Sequence, residues 1–128
     1  MKNYTLNLNE RQAQVVAAAL DLYARIGIGQ FEEVLQVYDP GAKLDIKTRG
    51  RIGSGLRIAK EEAGHPANGS HSIVNPVVED QFRVAYDVRQ VIRHKLALDR
   101  KPEGGMGVDF DTPHQTGKEP LAAIKAAE

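Results

Sequence analysis

The sequence predicts an α+β domain, with two long amphipathic helices and shorter ones beside a small antiparallel sheet of short strands. Three observations predict it. Segments 10–26 and 79–99 repeat apolar residues at helical spacing. Tyr4-Thr5-Leu6-Asn7-Leu8 alternates like a strand, and 71–74 and 108–110 have the bias of short extended pieces. No linker, repeat or composition shift divides the 128 residues, so residues 1–128 read as one domain.

In chain order, Asn9 reads as an N-cap with Gln12 in capping-box position. The first helix follows, its buried face formed by Val15, Val16, Ala19, Leu20, Leu22, Tyr23 and Ile26, and Gly27 and Gly29 end it. A short helix is predicted from Gln30 to about Val37, stopped by the Asp39-Pro40-Gly41 turn. Residues 43–63 read as helix, although Gly50, Gly53 and Gly55 weaken it by up to about 1 kcal/mol each. Residues 64–69 are loop, and Asn75-Pro76 forces a turn or extended geometry. Glu79 and Asp80 suit the first turn of the longest helix, which runs to about Asp99. Val108-Asp109-Phe110 is read as the last strand, and the tail from about 113 is expected to stay loose unless a partner orders it.

Composition excludes several function classes. Basic and acidic residues balance at 17 each, so no whole-molecule field favours nucleic acid or an acidic membrane. The absence of cysteine removes disulfides, thiol catalysis and Cys-ligated zinc. The spacings of His65, His71, His94 and His114 match no metal-ligand pattern, so no metal or cofactor is expected. No run of apolar residues approaches a membrane span and the first residues do not resemble a signal peptide, which points to the cytosol. Three Phe, four Tyr and no Trp give a thin aromatic core, the kind often completed by self-association. Gly50-Arg51-Ile52-Gly53-Ser54-Gly55 lacks the Gly-Lys-Ser/Thr ending of a phosphate-binding loop and reads as a flexible basic loop. No nucleophile-elbow pattern surrounds Ser54, Ser70 or Ser72, and adjacent carboxylates such as Glu32/Glu33 read as solvated surface. No catalytic residue is assigned.

Binding chemistry is better represented. Phe82, Tyr86, Arg89 and Arg93 fall in one stripe about 60° wide on the longest helix. Guanidiniums form forked hydrogen bonds to phosphate oxygens, and rings offer flat faces to a base. The plainer reading is that the rings cap the core while the arginine stems cover it. Asn68, Ser70, His71, Ser72 and Asn75 lie in the loop just before that helix, where they serve either as turn formers or as directional donors and acceptors. Arg25-Ile26-Gly27-Ile28-Gly29-Gln30 is a second candidate, where glycines let a ligand approach the backbone beside a guanidinium.

Two stretches carry a family resemblance: Glu10 to Gln14 with Leu20 to Glu33, and Ser72 to Pro76 with Phe82 to Arg93. Together they resemble small phage proteins of the first-described Thoeris anti-defence family. The resemblance implies a non-enzymatic sponge that binds glycocyclic ADP-ribose signals made by bacterial TIR-domain enzymes and sequesters them uncleaved. It implies a ligand pocket at Asn75, Phe82, Arg89 and Arg93, with Arg89 and Arg93 on the pyrophosphate; the stripe adds Tyr86 and the preceding loop adds His71 to that candidate pocket. It also implies self-association as a dimer or hexamer. A second, inter-subunit site for cyclic oligonucleotides would fall at Arg25, Gly27, Ile28 and Gly29. The glycine-broken segment 50–55 departs from the steadier helix expected of that family. Three rivals remain: a nucleic-acid-binding regulator using segment 43–60, which carries six basic residues against Asp45, a direct inhibitor of a host protein, and a hydrolase of cyclic nucleotides.

Overall fold

The structure, a computed structural model, describes residues 1–127. Its helices are α1 (Glu10–Gly27), α2 (Glu33–Tyr38), α3 (Ile46–Glu62) and α4 (Asp80–Arg100), followed by a single 3₁₀ turn at Val108–Phe110. Helix accounts for 51% of the chain, and no strand occurs among the described residues. The expected α+β fold with its antiparallel sheet is therefore corrected to an all-helical one.

Position explains the missing sheet. Leu8 lies beside Leu96 and Arg100, at the C-terminal end of α4. Residues 71–74 lie at the other end, where His71 N donates to Ile28 O (2.9 Å) and Ile73 O accepts from Arg83 Nε (2.9 Å). From Arg83 to Leu96 the helix rises about 20 Å, whereas paired strands must lie about 5 Å apart. The third segment closes on itself instead, with Phe110 N donating to Gly107 O at 3.1 Å.

Local chemistry sets the helices. The Asn9–Gln12 capping box forms as expected, with reciprocal bonds of 2.8 and 2.9 Å. Asp45 caps α3 by accepting from Thr48 N at 2.8 Å, and α3 runs unbroken through its three glycines. Helices α1 and α4 pack antiparallel, with Gly27 against Phe82 at one end and Glu10 beside Asp99 and Arg100 at the other. Alanine predominates among the buried apolar residues of the two helices. Ala13 and Ala24 of α1 are buried, as are Ala85, Val91, Ile92 and Ala97 of α4. The opposite side of α1 stays open, with Val15 52% exposed although it was expected in the core; Tyr23, 45% exposed, still sets its ring 5.1 Å from that of Phe82 in α4. Helix α3 is held to the rest by two ion pairs. Asp39 Oδ2 receives Arg49 Nη1 at 2.6 Å, and Glu32 receives Lys60 Nζ at 3.3 Å.

The C-terminal segment is not loose along its whole length. Residues 113–118 form a strap running antiparallel to α4, fastened to a polar stripe at Asp80, Asp87 and Gln90. Gln90 donates to His114 O (2.9 Å) and accepts from His114 N (3.1 Å). Asp87, 3% exposed, accepts from Thr116 Oγ1 (2.6 Å), Thr116 N (2.9 Å) and Gly117 N (2.8 Å). Asp80 accepts from Lys118 N at 2.9 Å. Gly117 lies so close to α4 that a Cβ there would stand 3.1 Å from Val84 N.

Candidate functional site

The residues expected to form one pocket are distributed over three places. Arg89 and Arg93 line a shallow groove between α1 and α4 with Gln14, Ala17, Asp21 and Leu96. Both guanidiniums already face carboxylates. Arg89 Nε lies 2.9 Å from Asp21 Oδ1, and Arg93 Nε lies 3.2 Å from Asp109 Oδ1. The second contact is off the line a hydrogen bond needs, which leaves that buried N–H unsatisfied. Burial pushes the Arg89 pKa down, and the Asp21 carboxylate opposes that shift. Tyr86 lies under Arg89, with Cζ 6.0 Å from the ring centroid.

Phe82 and His71 belong to a separate cavity of about 550 Å³, shared with Phe31, His65 and Glu79. Its rings form a chain: Phe31 meets His65 edge-on at 5.6 Å, and His65 meets His71 at 5.4 Å. Burial lowers the His65 pKa, and the nearby His71 and Lys60 lower it further. Asn75 is a turn residue here. Its side chain accepts from Val77 N at 3.0 Å, and its carbonyl accepts from Arg83 Nη2.

The glycines of the second candidate have a structural cause. A Cβ at Gly27 would fall 2.0 Å from Phe82 Cγ, and one at Gly29 would fall 2.6 Å from His65 Nδ1. Gly29 also has φ +96°, in the left-handed region that glycine tolerates. The room opened at this turn is filled by the protein's own rings. Ile28 contributes its carbonyl to His71 N. Gly27 borders the ring-lined cavity, and Arg25 faces a larger open space.

That space is a polar cleft of about 770 Å³ between the C-terminal end of α1, the start of α2, one side of α3 and loop 67–70. Its size falls within the range of small-molecule sites. Three cations, Arg25, Arg57 and Lys60, line it against two carboxylates, Glu32 and Glu33. Arg25 Nε is bonded to Asp21 Oδ2 (2.9 Å) and Nη1 to Gln30 Oε1 (2.7 Å), while Glu33 stands 3.9 Å off. The Asp21 hydrogen bond, with the Asp21 and Glu33 charges, raises the Arg25 pKa, and burial opposes it. Gln30 Nε2 reaches Ser70 Oγ at 3.3 Å, joining the loop to α1. Ser54 and Asn68 add further polar groups to the wall. One carboxylate, Asp21, thus holds both Arg25 in the cleft and Arg89 in the groove.

Sequence reasoning singled out Arg25 and Gln30, as part of an inter-subunit site, but did not join Arg57 and Lys60 to them. The signal was the run Gly50, Gly53, Ser54, Arg57 and Lys60, small then basic residues that share one side of α3. The basic segment 43–60 presents no continuous stripe, because Arg49 is committed to Asp39 and Lys60 to Glu32. Among the described residues no helix is long and apolar enough to cross a membrane. The chain matches no family model, no curated protein and no solved structure.

Proposed function

We propose that the protein binds a phosphate-bearing nucleotide in the polar cleft and holds it without cleaving it. The observation that carries this reading is the cleft lining, where Arg25, Arg57 and Lys60 converge with the amides of Gln30 and Asn68 and the hydroxyls of Ser54 and Ser70. Cations bind phosphate oxygens through charge-assisted hydrogen bonds, and neutral donors and acceptors suit ribose hydroxyls and base edges. The family resemblance points to a cyclic ADP-ribose as the ligand and to the withholding of a defence signal as the outcome. It also favours self-association, which the open apolar side of α1 supports.

The test is incubation with a panel of cyclic ADP-ribose isomers and cyclic oligonucleotides. Free ligand is measured by chromatography before and after heat denaturation. Depletion followed by intact return supports a sponge, and a new product makes the protein an enzyme. No depletion of any ligand overturns the reading in favour of a protein or nucleic-acid partner, which steep salt dependence would then identify as nucleic acid.

A further inference from the structure

Helix α3 contains three glycines that its own packing does not need. A Cβ added at Gly50, Gly53 or Gly55 would meet nothing within 4 Å. Each glycine nonetheless weakens a helix relative to alanine. Their placement separates them. Gly50 and Gly53 line the cleft together with Ser54, Arg57 and Lys60, and these five residues occupy a sector of about 120° on the helix. Gly55 lies outside that sector and outside the cleft.

Lys60, on the same sector, independently points to an anion. It is 2% exposed, and its two ammonium hydrogen bonds, 3.3 and 3.5 Å, go to the single carboxylate of Glu32. That carboxylate is on a side chain 58% exposed to solvent. An ammonium has three N–H donors. A buried cation compensated only by a half-solvated partner has capacity for a second anion and gains from it.

We propose that this sector of α3 is the ligand-bearing wall of the cleft. Gly50 and Gly53 are kept free of Cβ so that a phosphate-bearing ligand lies directly against the helix backbone, with a phosphate oxygen on Lys60. The inference rests on the cleft being the binding site. It goes further by assigning a steric gauge to two glycines and an anchor to one lysine.

The experiment compares the full chain with Gly50→Ala, Gly53→Ala and Gly55→Ala, reading the melting temperature and the affinity for cyclic ADP-ribose, ADP-ribose and inorganic pyrophosphate. All three variants should melt about 3–5 °C higher, since each gains helix propensity and displaces nothing. Gly55→Ala should bind as the wild type does. Gly50→Ala and Gly53→Ala should lose at least tenfold for the two nucleotides and less for the smaller pyrophosphate. Lys60→Gln should weaken all three probes. Unchanged affinity in Gly50→Ala and Gly53→Ala, with wild-type binding intact, overturns this inference and leaves the proposed function standing. Absence of binding by the wild type overturns both.

Discussion

Replacing Asp87 by asparagine tests whether the strap is fastened as described. The side chain keeps its shape but loses its charge, and one oxygen becomes an NH₂ donor. The Oδ2 atom accepts from Thr116 N and Gly117 N, and Oδ1 accepts from Thr116 Oγ1 and from Gln90 Nε2 at 3.3 Å. Whichever position the amide nitrogen takes, it confronts at least one donor that cannot turn away. Hydrogen bonds to a charged acceptor contribute about 1.5–3 kcal/mol each, so losing one outright and the charge behind the others costs about 3–6 kcal/mol. The strap limits that cost, because residues 113–118 can detach and return their amides to water once docking is unfavourable. The expected loss is therefore about 3 kcal/mol, or a melting point lower by about 10 °C. Amide exchange at Thr116 and Gly117 should accelerate towards that of an unstructured chain, while α1 and α4 keep most of their protection. A melting point within about 2 °C of wild type, with both amides still protected, would refute the reasoning.

Other outcomes follow from the same geometry. Gly27→Ala should destabilise by about 1–3 kcal/mol through its clash with the Phe82 ring, and chemical denaturation should show partial rescue by adding Phe82→Leu. Arg89→Ala and Asp21→Ala should show a coupling of about 1 kcal/mol in a double-mutant cycle of unfolding, because the pair joins α1 to α4; additive losses would place no energy in that contact. Stability should decline as pH falls below the ordinary histidine value of 6.5, because the native state holds His65 below it and the unfolded state takes up the proton first. His65→Gln should flatten that part of the melting-point profile. A further loss should begin below about pH 3.8, where Asp39 protonates in the unfolded chain; its native carboxyl is held below the usual range by the Leu44 and Lys43 amides and by Arg49.

The four helices were legible because their signals are local. The Asn9–Gln12 box and the apolar periods of 10–26 and 79–99 need no information from elsewhere in the chain. The strands were misread because alternation over five residues says nothing about whether a partner lies within reach. The stripe from Phe82 to Arg93 was correctly spaced, yet its two ends differ by about 16 Å along the helix axis, and the rings and guanidiniums belong to different cavities. The strap was hidden because Asp87 and Gln90 look like solvated positions on a helix when their acceptors and donors lie more than twenty residues downstream. The cleft was half visible: Arg25 and loop 67–70 stood out and α3 has a small-then-basic side, but only the tertiary packing turns that side towards them.

Strapping α4 with residues 113–118 also sets an order of events during synthesis. Helices α1 and α4 can pair once residue 100 has left the ribosome, but the strap residues that cover Asp87 are not yet made, and only the Gln90 amide bonds it. Its remaining donors emerge more than ten residues later. A nascent chain stalled in that interval, or a product truncated before Thr116, leaves the polar stripe of α4 uncovered. Complete copies would therefore differ from incomplete ones in how well that face of α4 is covered.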